Sequence, residues 1–382
     1  MFEKRYLASR LTATVLLLAA IAVAAVSAHS YLAMRDPAPH VDRVVPHAGF
    51  EKRRLSDWFD GLAGTPMDTD VYLQQGAEPG GTVLVLGGTH ANEPAGVVAA
   101  VVLLERADVQ RGRLIVVPFA NPMARTHTFP QDAHPQTFRF FTPAGTERVF
   151  RYGARTTDPV NEWPNPDIYI HPQSGQTMAG IERSNLNRAH PGLPDGGPTE
   201  RLAHGFMRLI EEENVDLAID LHEASPEYPV VDAIVAHERA MELAAMVTME
   251  LEFEGVPIRL EPSPVNLRGL SHREWGDETD VLAILMETCN ASAGRFRGKT
   301  DEALILDGED KAYDKAAGLG RLYVPWESYN RRMAERVGRH VTAVRLLADN
   351  LEYVRDGKGI TVAGLPGYDE LSAEGVGAFL AD

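Results

Sequence analysis

The chain has 382 residues, 44% of them hydrophobic and 24% charged, a composition that supports a full buried core and one large domain rather than two. Its formal net charge of −17 excludes the basic footprint that nucleic-acid binding needs, so no nucleic acid is expected as a partner. The acidity reads as solubility, and the single cysteine, Cys289, excludes an internal disulfide.

Residues 1–34 read as a targeting segment rather than part of the fold. Lys4, Arg5 and Arg10 precede an uncharged, mostly apolar run from Leu11 to Ala28, and weaker apolar character continues through Tyr31, Leu32 and Met34. That length is enough to cross a hydrocarbon core of about 30 Å. Positive charge ahead of the run keeps the N-terminus in the cytoplasm and sends the remainder across. The segment is read as a single-pass membrane anchor with the rest of the chain exported. The small residues Val26-Ser27-Ala28 make a cleaved, periplasmic or secreted form the alternative. Residues 35–65, with several prolines and charges, read as a linker and lead-in.

Residues 66–355 carry the alternation of a catalytic domain. Val71–Gln74, Thr82–Leu86 and Leu114–Phe119 are predicted strands. A helix from Pro94 to about Asp108 is expected before the third, because Val97, Val98, Val101, Val102 and Leu104 recur at helical spacing and proline suits a first turn. Strand, helix, strand implies a parallel pair with a helical crossover. From Asn121 to Arg183 the periodicity dissolves. Residues 126–182, rich in proline, glycine and aromatics such as Phe129, Phe138, Phe150 and Trp163, read as a lid-like insertion. Thr199–Glu213 reads as a helix, and Val215–Leu221, Val230–Val235 and Val281–Met286 as strands. Trp326–Val354 reads as one long amphipathic helix, and 356–382 as a tail. The pattern predicts an α/β fold with a mixed, mostly parallel central sheet flanked by helices.

Three motifs sit where predicted strands end, the edge at which such sheets place their chemistry. Gly87-Gly88-Thr89-His90-Ala91-Asn92-Glu93 follows Thr82–Leu86, Asp220-Leu221-His222-Glu223 closes Val215–Ile219, and Glu287-Thr288 closes Val281–Met286. The glycines allow a tight turn in which His90 and Glu93 face one point. Alone, that pair reads more simply as a surface loop with a helix-capping glutamate. Joined by His222 it matches a His₂Glu zinc site with one position open for water, and Glu287 stands as the base beside that water. Asp220 is placed to orient the His222 imidazole. Glu223, one residue on, points to the opposite side of the strand and reads as surface or helix entry. Cys289 reads as a small buried residue. Asn185-Leu186-Asn187-Arg188, followed by Pro191-Gly192, offers a guanidinium fork and amides suited to a carboxylate, or simply a capped turn.

Taken together, residues 70–290 resemble the succinylglutamate desuccinylase/aspartoacylase family, in the zinc carboxypeptidase-like superfamily. The family's glycine-rich His-x-x-Glu loop is similar to Gly87–Glu93, its Asn-Leu-Asn-Arg stretch to Asn185–Arg188, its Asp-Leu-His stretch to Asp220–His222, and its catalytic glutamate to Glu287; Asn121-Pro122 also has a counterpart. The resemblance implies a Zn²⁺ cofactor held by His90, Glu93 and His222, Glu287 as general base, and Asn187 and Arg188 as ligands of a substrate carboxylate. It also implies an arginine that stabilises the oxyanion, for which Arg183 is the nearest candidate and Arg155 its competitor. Unlike aspartoacylase-like members, the chain shows no C-terminal β-domain pattern, since 295–382 read mainly as helix and loop. The expected activity is hydrolysis of an amide bond in a small carboxylate-bearing substrate, as in an N-acyl amino acid deacylase. The alternative is a metallocarboxypeptidase acting on short or cell-wall peptides. A membrane-anchored binding protein without catalysis is the rival outside the enzymes. The sequence leaves the oligomeric state unknown.

Overall fold

The computed structural model describes residues 2–129, 136–327 and 331–382. Helix α1 (Phe2–Arg35) leads, and its stretch Ser9–Arg35 is long and apolar enough to cross a membrane. Its end is tied to the rest of the chain, since Arg151 Nη1 donates to Met34 O at 2.5 Å and Arg35 lies 3.7 Å from Asp158. Strands β1 (Glu51–Arg54), β2 (Asp70–Gln75) and β3 (Glu78–Gly87) follow, then helix α2 (Pro94–Arg106) and strand β4 (Asp108–Val117). Two hairpins come next, β5 (Gln136–Phe141) with β6 (Glu147–Tyr152), and β7 (Ile168–Ile170) with β8 (Thr177–Ala179). Then come α3 (Pro198–Glu212), β9 (Leu217–Ala224), β10 (Ala233–Ala236), α4 (Met241–Phe253), β11 (Arg259–Pro262), α5 (Ser271–Glu278) and β12 (Leu282–Cys289). Helices α6 (Glu302–Asp307), α7 (Lys311–Gly318), α8 (Met333–Asp349) and α9 (Leu351–Val354) precede β13 (Thr361–Ala363) and α10 (Tyr368–Glu374).

Among the described residues nine strands form one sheet, ordered β1-β2-β4-β3-β9-β12-β10-β11, with β13 paired to β4. Its centre, β4-β3-β9-β12, is parallel throughout. Helices cover both faces, which is why the central strands are continuous apolar runs rather than alternating ones. Val83 and Val85 pack with α2 and α8 on one face, while Leu84 and Leu86 pack with α3 and Trp275 of α5 on the other. The mixed, mostly parallel sheet flanked by helices is the expected fold.

Four stretches differ from their reading. The linker 35–65 contributes β1, and the tail 356–382 contributes β13 and α10 and buries Ile360, Leu371, Val376 and Leu380 in the core. Both strands are short and mostly exposed, so neither shows the alternation that marks a half-buried strand. The insertion 126–182, of which 130–135 lie outside the described residues, holds both hairpins. The long helix read from Trp326 begins at Met333, with 328–330 outside the described residues; Trp326 instead stacks on Tyr313 at 5.1 Å.

Candidate metal centre and its cleft

The parallel register delivers three functional groups to one edge. Gly87 of β3 pairs with Leu221 of β9, and His222 of β9 pairs with Glu287 of β12. Paired residues of neighbouring strands share a face, so His222 and Glu287 stand side by side toward α3 and α5. The loop after β3 turns back through Gly88, whose φ of +74° favours glycine. It then enters α2 at Pro94, and a Cβ on Gly96 would stand 2.3 Å from Leu221 O, so only glycine lets α2 lie this close to β9.

His90, Glu93 and His222 converge, with their donor atoms within 4.8 Å of one another and all three residues buried. His90 Nδ1 is 2.7 Å from Glu93 Oε1, and His222 Nδ1 is 2.8 Å from Glu93 Oε2. The far ring nitrogens are held from outside. His90 Nε2 lies 2.8 Å from Asn185 Oδ1, and His222 Nε2 lies 2.9 Å from Asp220 Oδ2, though off the line of a good hydrogen bond. Asp220 in turn accepts from Thr89 Oγ1 at 2.8 Å and Ser271 Oγ at 2.6 Å.

This arrangement fits a cation. Asn185 donates Nδ2 to Glu182 and accepts the Asn187 N–H, so its Oδ1 faces His90 and must accept there too. Burial, then the Arg155 charge, push the His90 pKa down to about 4, so its one proton sits on Nε2. The Nδ1 lone pair then faces a carboxylate oxygen at 2.7 Å, acceptor against acceptor, a contact that a positive ion between them resolves. Burial works against charge on His222 as well, but Asp220 and Glu93 outweigh it and raise its pKa well above the usual range, so the same point draws positive charge. Two imidazoles and a carboxylate with outer partners are a zinc donor set.

Glu287 is half-buried, and its Oε2 is enclosed without a hydrogen-bond partner. Burial, then the nearby Glu93 carboxylate, raise its pKa. Arg155 Nη1 lies 3.5 Å from Glu93 Oε1 with the side chain 41% exposed. The insertion puts it there, because Ala91 N donates to Ala154 O and Gly153 N to Ala91 O, docking the chain after β6 onto the metal loop. Arg183 is not among the convergent residues, and its guanidinium lies 3.6 Å from Glu162 instead. Arg183 is the nearest arginine upstream of the Asn-Leu-Asn-Arg motif, at a spacing shorter than expected; the docking of the chain after β6 brings Arg155 in.

The Asn185–Arg188 turn, read as a substrate clamp, divides its side chains between His90, α5 and Glu182. Asn185, which drew no role beyond the motif, touches His90. Asn187 is buried, and its Oδ1 accepts the Ser271 N–H at 2.8 Å. Arg188 retains a partly open guanidinium, 3.9 Å from Glu182, and burial followed by the Arg155 charge lowers its pKa. Glu223 lies on the opposite face, where its Oε2 accepts the Ala95 N–H in the first turn of α2 and its Oε1 accepts from Arg336 of α8. Cys289 is buried, and burial raises its thiol pKa.

No family model matches the chain. N-alpha-acetyl-L-2,4-diaminobutyric acid deacetylase of Halomonas elongata is 29% identical over 191 residues, which cover 50% of this chain and 41% of that protein. The chain thus aligns with about two-fifths of the length of this curated relative. A succinylglutamate desuccinylase structure from Silicibacter sp. TM1040 overlaps 60% of this chain and 55% of its own at 21% identity, with a TM-score of 0.38. The tripeptide-bound cell shape determinant Csd4 of Helicobacter pylori overlaps 80% of this chain and 59% of its own at 12% identity, with a TM-score of 0.47. Over half of its length the chain is thus similar in sequence to a deacetylase, and its mixed, mostly parallel sheet is similar to the fold of a succinylglutamate desuccinylase.

Proposed function

We propose that this chain is a zinc-dependent hydrolase that cleaves the amide bond of a small, carboxylate-bearing N-acyl substrate. The observation that carries the reading is the convergence of His90, Glu93 and His222 with Glu287 beside His222 across the β9–β12 register. His90, Glu93 and His222 would hold the metal. Zinc, when bound, supplies a Lewis acid that polarises the acyl oxygen and acidifies water. Glu287 takes the proton of the attacking water on Oε2, its partnerless oxygen, and returns it to the leaving amine nitrogen. Its raised affinity for protons suits a group that must both accept and release one. Arg155, beside the metal ligands and open to the cleft, stabilises the negative charge that develops on the acyl oxygen. Arg188 receives the substrate carboxylate.

Substitution Glu287→Gln tests the assignment. The amide keeps the shape but not the basicity, so zinc should stay bound while kcat falls on the order of 10² or more. Near-normal kcat with zinc in place would sink it. A panel of N-acyl amino acids and short peptides, assayed with the wild type, separates deacylase from carboxypeptidase.

We further propose that α1 anchors the chain with the catalytic domain outside the cytoplasm, on the strength of the apolar stretch Ser9–Arg35 near the N-terminus and the basic residues before it. A reporter fused after residue 40 should be active only outside the cytoplasm; cytoplasmic activity alone would overturn this.

A further inference from the structure

The turn that carries Arg188 and the strand that carries His222 meet at one buried residue, Ser271, the first of α5. Its backbone N–H donates to Asn187 Oδ1 at 2.8 Å. Its hydroxyl donates to Asp220 Oδ2 at 2.6 Å, and that same oxygen lies 2.9 Å from His222 Nε2. Asn187, Ser271, Asp220 and His222 are all buried, so water cannot replace any link in this chain. Among the described residues, the other oxygen of Asp220 accepts only from Thr89, a residue of the His90–Glu93 loop. Among the described residues the Ser271 hydroxyl bonds to Asp220 alone.

We propose that Ser271 is a positioning residue that couples the seating of the substrate carboxylate to the metal: through Asn187 it fixes the turn bearing Arg188, and through Asp220 it sets the orientation of the His222 imidazole. The coupling rests on the zinc reading above. A carboxylate with two fixed donors cannot rotate, so its second oxygen stays against His222 Nε2 and the ring keeps Nδ1 turned to Glu93. Loss of an outer partner of a metal-ligating histidine typically weakens metal affinity about 10–100-fold.

The experiment is zinc affinity by competition with a chelator, measured on the full chain as wild type, Ser271→Ala, Ser271→Cys and Ser271→Thr, with thermal melting alongside. Alanine keeps the backbone bond to Asn187 and removes the hydroxyl; cysteine keeps nearly the volume with a much weaker donor. Ser271→Ala and Ser271→Cys should lose on the order of 10-fold or more in zinc affinity. Turnover lost at limiting zinc should return at saturating zinc, and Ser271→Thr should bind as wild type does. Wild-type zinc affinity in folded Ser271→Ala and Ser271→Cys would overturn the proposal while leaving the metal site standing. Loss of the fold in both variants would make Ser271 structural and overturn it too. A wild-type chain that binds no zinc would remove the metal reading itself, and the coupling with it.

Discussion

Glu105, near the end of α2, is fully buried and serves four donors. Oε1 accepts from Val45 N at 3.0 Å and Arg148 Nη2 at 2.7 Å, and Oε2 accepts from Arg148 Nη1 at 3.0 Å and Ala381 N at 2.6 Å. Replacing it by glutamine keeps the shape and removes the charge. Whichever way the amide turns, its NH₂ end meets two donors, and the buried Arg148 guanidinium keeps one amide oxygen and the carbonyls of Arg43 and Ala381 but no counter-charge. Breaking a buried pair in this way costs about 3–5 kcal/mol, most of it the uncompensated charge. With about 2.1 cal/mol/K per residue the melting entropy of a domain this size is about 0.7 kcal/mol/K, so Glu105→Gln should lower Tm by about 4–7 °C. Thermal melting by circular dichroism measures it. The double variant Glu105→Leu/Arg148→Met, which removes both charges, should recover most of the loss. An unchanged Tm in the glutamine variant would refute the reasoning.

Arg188→Ala should chiefly raise KM for a carboxylate-bearing substrate and do less to its uncharged amide analogue; equal losses on both would make Arg188 structural. Arg155→Met should lower kcat on the order of 10²-fold, the scale for one lost oxyanion donor, while Arg183→Met leaves kcat nearly intact; the reverse pattern would return the role to Arg183. Burial raises the Glu162 pKa to about 7, although Thr199 and Arg183 oppose the shift. A folded pKa above the unfolded value of about 4.3 means that Glu162 favours folding below about pH 4 and that this contribution is lost as pH rises through 7. Glu162→Gln should therefore gain in Tm over wild type from pH 5 to pH 8, and a gap that stays constant would contradict the burial argument.

The centre of this fold was legible because its strands are buried on both faces. Thr82–Leu86, Val215–Ile219 and Val281–Met286 read as mostly apolar runs, and the polar groups that end them, His90 with Glu93, Asp220 with His222, and Glu287, gather at one edge. The face of Glu223 followed from strand alternation, and it does turn to Arg336. What stayed hidden depends on contacts between distant segments. Short exposed strands such as β1 and β13 carry no period to detect. The choice between Arg155 and Arg183 turns on two backbone hydrogen bonds to Ala91, to which no side-chain pattern testifies. Asn185 and Asn187 look alike in sequence, yet one faces His90 and the other caps α5.

The fastening of α2 has a consequence for the order in which the molecule can assemble. The metal loop leads into the front of this helix, while its rear is fixed by segments made much later: Arg106 donates to Ala378 O and Phe379 O, and Glu105 accepts from Ala381 N. Packing that joins residues some 275 positions apart forms late, since the entropy of closing so long a loop comes before any reward. During synthesis the nascent chain therefore carries His90 and Glu93 on a loop whose following helix is not yet seated. Residues 378–381 complete the seating of α2, so the loop of His90 and Glu93 gains its final support only when they arrive.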